Sequence, residues 1–277
     1  MDRNKNNGRF VLDENKKNER LGKIQYNNKG TLMKIVEYNN SRNVIVEFQD
    51  EYKIKVKTRY DCFLDGRVLN PYDKTVYDVG YIGVGKYNNK DYPKIYRTWS
   101  DMLKRCYDPY YINKHLTYID AYVCDEWHNF QNFAKWYEEN YYECNNERMN
   151  LDKDILIKGN KIYSPSTCIF VPQRINSLFI KMDSSRGEYP IGVSLKKANS
   201  KDRTINDKLK VYCSIREDNK TKQKFLGYFP INKPFQAFTC YKTFKENYIK
   251  QVADEYKDLI PQKLYEAMYK YEIEIND

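Results

Sequence analysis

The sequence predicts an α+β protein built from three small folded parts that follow a polar tail. Three observations predict this. The 277 residues exceed what one small hydrophobic core usually organises. Short segments in which apolar and polar residues alternate lie near both ends, whereas apolar residues at helical spacing dominate the middle. We therefore expect a flexible tail over 1–20, a small β-barrel over 21–75, a central domain over 76–185 and a C-terminal sheet-and-helix domain over 186–277.

Composition limits the class of partner. The chain has 48 Lys and Arg against 38 Asp and Glu, a net charge of +10, which favours a polyanionic partner. The alternative is that Lys and Asn are abundant because of AT-rich codon supply. Seven cysteines without a CxxC pair argue against a disulfide framework or a zinc knuckle. No apolar run is long enough for a membrane span or a secretion signal, so we expect a cytoplasmic protein.

The segment from Leu21 to about Tyr72 alternates apolar and polar residues in short runs that are separated by Asn and Gly. This pattern predicts four or five short strands, typical of a small barrel. The segment resembles an N-terminal module of phage DNA-associated proteins. The residues that carry this resemblance are Gly30, Met33, Ile35, Tyr38, Phe63, Gly66, Val68, Asn70, Pro71 and Tyr72.

Aromatic and aliphatic residues in the central segment recur at steps of three and four, which predicts two amphipathic helices. We expect these stripes to pack in a core rather than to hold a cofactor. The first stripe is Tyr96, Trp99, Met102 and Leu103, and the second is Trp127, Phe130, Phe133, Ala134 and Tyr137.

The motifs Y-x-x-W-x-x-M-L-x-R-C-Y, V-C-D-E-W-x-x-F-x-x-F and L-D-K-D-x-x-x-x-G-N-K-x-Y-S-P-x-x-C-x-F-V-P-x-x-I-N follow one another between Tyr96 and Asn176. Together they resemble a phage family related to HNH endonucleases, whose core is a β-hairpin followed by a helix. The resemblance implies a first strand over 151–155, a second strand over 168–171 and a helix over 173–179. It also implies that Asn160 braces the hairpin loop and that the helix presents Asn176.

The catalytic histidine of that family has no counterpart here. Asp152, Lys153 and Asp154 stand in its place, and the two histidines of the chain, His115 and His128, lie elsewhere. Because histidine supplies a base with a pKa near neutrality, its loss predicts a core without catalysis.

Three alternatives stay open for this segment. Asp152 and Asp154, at i and i+2 of one strand, could bind Mg²⁺ together with Asn176, which would make the protein a metal-dependent endonuclease. The two carboxylates could instead cap loops and pair with nearby cations. A zinc site from Cys106, Cys124 and Cys168 would need His115 as its fourth ligand.

The C-terminal segment predicts three antiparallel strands and a helix over 234–258, with Asn232 as its N-cap and Pro234 in its first turn. Residues 208–216 alternate strictly, with an apolar set on one face and a set containing Lys208, Lys210 and Arg216 on the other. A shorter amphipathic helix is expected from about Pro261 to Tyr271.

This strand-and-helix pattern, with G-V, K-x-x-x-x-I and K-F-L-G-Y-F before the helix, resembles the Apetala/ethylene-response-factor DNA-binding domain. In that family the sheet enters the major groove. By position the resemblance implicates Lys196, Lys210, Tyr212, Arg216, Lys224 and Tyr228, and we expect the basic surface to continue through Arg174, Lys181 and Arg186. Residues 181–228 hold 12 Lys and Arg against 6 Asp and Glu, although a basic strand face can also be merely solvated.

The function expected from these features is non-catalytic binding of double-stranded DNA in the cytoplasm of a phage-infected bacterial cell. Two other classes stay open: the metal-dependent HNH-type endonuclease, and a phage anti-defence inhibitor that binds a host defence protein.

Overall fold

A computed structural model describes residues 14–180, 187–197, 207–217 and 220–275. The fold is mixed α+β with antiparallel sheets, as the sequence predicts. The chain divides into two compact units, which do not follow the boundaries expected near residues 75 and 185. The first comprises Met1–Ile119 and Val123–Lys135, and the second comprises Asp120–Tyr122 and Trp136–Asp277.

The first unit begins with a helix and a four-stranded antiparallel sheet in the order β1-β2-β3-β4. No pairing between β1 and β4 closes this sheet into a barrel within the described residues. Inward-facing side chains such as Met33, Ile35 and Val46 are fully buried, which matches the period of two in the sequence. The elements are α1 (Glu14–Arg20), β1 (Ile24–Tyr26), β2 (Leu32–Asn40), β3 (Asn43–Phe48) and β4 (Lys55–Thr58).

A tail is expected over residues 1–20, and residues 1–13 of it lie outside the described residues. From Glu14 onward the expectation is wrong, because α1 is held to the sheet through its last residue. Arg20 donates a hydrogen bond to the Tyr38 hydroxyl at 2.7 Å, and its guanidinium lies 4.0 Å from the centroid of the Tyr60 ring. A cation over an aromatic face stabilises this contact.

Helices and turns form the rest of the first unit. The first aromatic stripe is confirmed as a helix whose Trp99, Met102 and Leu103 are buried. In the second stripe Trp127 lies on a 3₁₀ turn (125–128) just before the helix that carries Phe130 and Phe133. The helices are α2 (Tyr60–Leu64), α3 (Pro93–Tyr107), α4 (Pro109–Lys114) and α5 (Phe130–Asn140), of which α5 ends in the second unit.

A hairpin followed by a short helix lies in the second unit. The strands β6 and β8 pair antiparallel, with Met149 opposite Pro172 and Asp152 opposite Ile169. The elements of this region are β5 (Tyr122–Val123), β6 (Met149–Asp152), β7 (Ile162–Tyr163), β8 (Ile169–Pro172) and α6 (Gln173–Asn176). The first strand therefore covers 149–152 rather than 151–155, and the helix ends three residues before the expected end.

A three-stranded antiparallel sheet, in the order β11-β10-β9, packs on a long helix in the second unit. The strict alternation predicted for the central strand is confirmed, since Leu209, Val211 and Cys213 are buried. Lys233, rather than Asn232, is the N-cap of the long helix, and Pro234 is its first residue. The elements are β9 (Val193–Lys196), β10 (Lys208–Glu217), β11 (Lys220–Pro230), α7 (Pro234–Glu255) and α8 (Gln262–Lys270). Among the described residues no helix is both long and apolar enough to cross a bilayer.

Candidate nucleic-acid interface and hairpin-helix element

The sheet of β9, β10 and β11 has one face against α7 and one face turned away from it, which we call the open face. Directly paired residues of neighbouring strands lie on the same face. The pairs Lys208 with Lys196, Lys210 with Ser194, and Lys210 with Tyr228 therefore belong to the open face, because Leu209 and Val211 are buried against the helix. The cations of the open face are Lys196, Lys208, Lys210 and Arg216.

A β-bulge changes which aromatic residues reach the open face. Val211 pairs with Gly227 but the next residue, Tyr212, pairs with Phe225, so β11 holds one extra residue, Leu226. Gly227 has φ of +148°, which a residue with a side chain rarely adopts. The bulge places Phe225 and Tyr228 on the same face, three positions apart.

The three rings on the open face form one cluster. The Tyr212 and Phe225 centroids are 5.3 Å apart, and the Phe225 and Tyr228 centroids are 4.9 Å apart. Phe225 keeps 44% and Tyr228 51% of its surface exposed, and the Lys210 ammonium lies 4.2 Å from the Tyr212 centroid. Phe225 was not among the residues expected from the sequence, because strict alternation assigns it to the other face.

The residues expected to bind DNA are only partly brought together. Lys196, Lys210, Tyr212, Arg216 and Tyr228 share the open face, which places them on one surface. Lys224 pairs with buried Cys213, so it lies on the helix side of β11, where it is exposed, and does not share the open face with the others. Lys181 and Arg186 lie outside the described residues.

Arg174 forms its contacts within the second unit. It lies in α6, and its guanidinium donates a hydrogen bond to Glu255 in α7 and lies 5.6 Å from the centroid of the Tyr256 ring. Its backbone amide donates to Glu147 at 3.0 Å, and the Tyr256 hydroxyl donates to the same carboxylate. Burial and this carboxylate raise the pKa of Tyr256 to about 12. The charge of Arg174 is therefore already paired within the second unit.

The carboxylates of the hairpin do not share a strand face. β6 ends at Asp152, so Asp154 lies in the loop, and the premise that i and i+2 point the same way is wrong. Asp152 accepts hydrogen bonds from the amides of Asp154 at 2.9 Å and Ile155 at 2.7 Å through one oxygen, which caps the loop. Burial, and secondarily the charge of Asp154, raises the pKa of Asp152 to about 6.

Lys153 and Asn160 hold the loop that follows β6. The Asn160 amide nitrogen donates to the carbonyls of Lys153 at 2.6 Å and Ile162 at 2.7 Å, so it joins the two ends of the loop. The buried Lys153 ammonium donates to the carbonyl of Asn160 at 3.0 Å and to the Asp154 carboxylate at 3.1 Å. A lysine held in this way stabilises the loop through its donated hydrogen bonds.

Asn176 and the cysteines are the other residues considered as metal ligands. Asn176 is the last residue of α6, and no hydrogen bond of its side chain is seen in the described part of the chain. Over the described ranges, no group of three or more His, Cys, Asp or Glu side chains is arranged to hold a metal ion, which leaves the zinc set Cys106, Cys124, Cys168 and His115 unsupported. His128 lies outside the hairpin, in the first unit, where its ring contacts the Tyr107 hydroxyl at 3.2 Å. Burial lowers the pKa of His128.

Comparison with known proteins identifies no family: no protein-family model, no curated protein and no solved structure matches the chain.

Proposed function

We propose that this protein binds double-stranded DNA through the open face of the β9-β10-β11 sheet and does not cleave it. One observation carries the proposal: the open face combines four cations with a cluster of three aromatic rings. None of the described strand residues assigned to this face by the pairing is acidic. Cations supply the affinity for phosphates, and groups that can contact base edges supply selectivity.

The dimensions of the sheet suit a duplex. Lys208 and Arg216 are eight positions apart on β10, which corresponds to roughly 26 Å along the strand. Pairing between β9 and β10 covers Lys208 to Val211 and is followed by a hydrogen bond from the Tyr212 amide to the Gly192 carbonyl, so from Cys213 onward β10 and β11 form a two-stranded ribbon within the described residues. The major groove of B-DNA admits a two-stranded ribbon. In this proposal the ribbon enters the groove, and the four cations of the open face contact the phosphates that border it.

The aromatic cluster favours a binding surface over a merely solvated basic strand face. Phe225 and Tyr228 are about half exposed although both lie within the hydrogen-bonded part of β11. Exposed apolar area that is surrounded by charge is characteristic of contact sites. Rings at this position can pack on thymine methyl groups, whereas the lysines around them neutralise phosphates.

The test is a titration of fluorescently labelled duplex DNA with the full chain over a salt series between ~50 and ~200 mM. The wild type should bind with a steep salt dependence. Lys210→Ala and Arg216→Ala should each lower the slope of log K against log salt by about one, since each removes about one phosphate contact. Lys224→Ala is the matched control, because it removes the same charge from the other side of the same strand pair.

Two results would overturn the proposal. One is the absence of salt-sensitive binding by the wild type, which would direct the search to a protein partner such as a host defence protein. The other is an equal decrease of the salt slope in Lys224→Ala and Lys210→Ala. The net charge of the sheet, and not the face on which each cation lies, would then explain the binding.

Metal-dependent cleavage of DNA is the second candidate, and the hairpin-helix element favours it. The loop is joined at its two ends by Asn160, and the pKa of Asp152 near 6 is within the range of a general base. Recovery of the DNA on a denaturing gel after incubation with Mg²⁺ or Mn²⁺ tests this candidate. Nicks that disappear in Asp152→Asn would support cleavage, and intact DNA with both metals would support binding alone.

A protein with this function would act where duplex DNA is accessible, in the cytoplasm of a phage-infected bacterial cell. The N-terminal sheet, proposed as a small barrel module, and the hairpin-helix element, proposed as an HNH-like core, would then accompany the DNA-binding sheet.

A further inference from the structure

A cavity of about 750 Å³ lies in the second unit beside the edge of β10. It occurs where β9 stops pairing, because Val193 opposite Val211 is the last register pair between the two strands. Further along the same edge, the Tyr248 hydroxyl accepts a hydrogen bond from the amide of Arg216 at 2.8 Å. The volume is in the range of sites that bind small molecules.

The walls of the cavity are mainly apolar. They include Leu178, Phe179, Tyr189, Ile191 and Ile273. Gly192 has φ of +76°, and a Cβ at this position would lie 2.1 Å from a Tyr241 ring atom. The glycine therefore lets the backbone contact the Tyr241 ring closely, and this contact forms part of the wall.

Lys245 is the cation of the cavity. It lies on the sheet-facing side of α7 and lines the cavity, and only 8% of its surface is exposed. In the part of the chain that the structure describes, no carboxylate pairs with it and no hydrogen bond of its ammonium is seen. The titratable group that influences it is the Cys213 thiol of β10, and burial lowers the pKa of Lys245.

An ammonium group buried without an anion is costly, and proteins usually pair such groups or bind a ligand to them. Tyr212, Ser214 and Gln223 also line the cavity, but the Gln223 amide donates to the Ser214 hydroxyl at 2.7 Å. Lys245 is thus the cation of the described lining, and Glu188, which is exposed, is its carboxylate; no ion pair joins the two in this part of the chain. A ligand with one compact anionic group and an apolar body would match the single cation and the apolar walls of this cavity.

We propose that this cavity binds a small amphipathic carboxylate, whose carboxylate group pairs with Lys245 and whose apolar body fills the space between α7 and residues 187–195. A medium-chain fatty acid has this chemistry. The site shares Tyr212 with the open face, but it requires neither the four cations of that face nor a nucleic acid.

The test is isothermal titration calorimetry of the full chain with decanoate and, separately, with the neutral decan-1-ol. The wild type should bind decanoate more tightly than decanol. Lys245→Met, which keeps the length and apolar character of the side chain, should weaken decanoate binding at least about tenfold and leave decanol binding within about twofold. Lys250→Met makes the same change on the same helix outside the cavity lining, and should bind both ligands as the wild type does.

A second variant tests the cavity and keeps the charge of Lys245. Ile191→Trp fills part of the space and should abolish binding of both ligands, while the circular dichroism spectrum stays that of the wild type. The proposal is overturned if the wild type fails to bind decanoate, or if Lys245→Met and the wild type bind it equally. Equal loss of decanoate and decanol in Lys245→Met would also overturn it, because the lysine would then shape the cavity rather than pair with the carboxylate.

Discussion

The Phe225 ring lies 5.3 Å from the Tyr212 ring on the open face of the C-terminal sheet, where the two residues are direct cross-strand partners. This pairing joins the aromatic cluster to the strand that carries Lys208, Lys210 and Arg216. Because Phe225 is 44% exposed, its ring is available for contact.

Replacement of Phe225 by Ala should weaken duplex binding at fixed salt by about fivefold or more, since the ring would lose an apolar contact with thymine methyl groups that contributes roughly 1 kcal/mol or more. The salt slope should stay unchanged, because the ring displaces no counterion. Anisotropy titrations at several salt concentrations measure both quantities.

Phe235→Ala is the control for this substitution. Phe235 is 69% exposed in the first turn of α7 and does not belong to the open face, so its loss should leave the affinity unchanged. Equal weakening in the two variants would contradict a specific role for the ring of Phe225.

Arg174→Ala should change stability rather than DNA binding. The substitution removes the pairing with Glu255 and the contact with the Tyr256 ring, and it should lower the free energy of unfolding by about 1 to 2 kcal/mol. The salt slope of duplex binding should equal that of the wild type. Urea unfolding gives the free energy of unfolding, and the anisotropy titration gives the salt slope. A lower slope with unchanged stability would show that Arg174 belongs to the DNA-binding surface.

Asn160→Ala should destabilise the hairpin loop. The carbonyls of Lys153 and Ile162 each lose their hydrogen bond from the Asn160 amide, which should cost about 1 to 3 kcal/mol in the free energy of unfolding. Asn176→Ala, at a half-buried position with no side-chain hydrogen bond seen among the described residues, should cost less than about 0.5 kcal/mol. Similar losses for the two variants in urea unfolding would show that the Asn160 bonds contribute little.

The stability of the chain should depend on pH through Lys245. Its pKa is lowered in the folded state, so the unfolded state holds more protons between the folded pKa and 10.5, and stability rises with pH in that window. The advantage of Lys245→Met over the wild type should therefore shrink as the pH rises toward 10.5, the ordinary pKa of lysine.

Urea unfolding of both proteins at each pH measures this difference. A difference that stays constant with pH would mean that Lys245 titrates alike in the folded and unfolded chain, and would contradict the lowered pKa.

Local patterns in the sequence were sufficient for much of the fold. The alternation of residues 208–216 predicts which side of β10 is buried, because side chains on a strand point alternately to its two faces. The spacing of Trp99, Met102 and Leu103 predicts the buried side of α3 for the corresponding helical reason. The order strand, loop, strand and helix over 149–176 is also as expected, whereas the family and function inferred from that resemblance stay predictions.

The sequence by itself therefore determined the class of the fold, most of its elements and the basic character of one strand face, since these depend on periodicity over a few residues. The tertiary structure decided which side chains share a surface. The bulge at Leu226 moves Phe225 to the face of Tyr212, register places Lys224 opposite Cys213, and Arg174 pairs with a carboxylate 81 residues away. Register and long-range pairing depend on how separate segments pack together, and no local pattern in the chain encodes them.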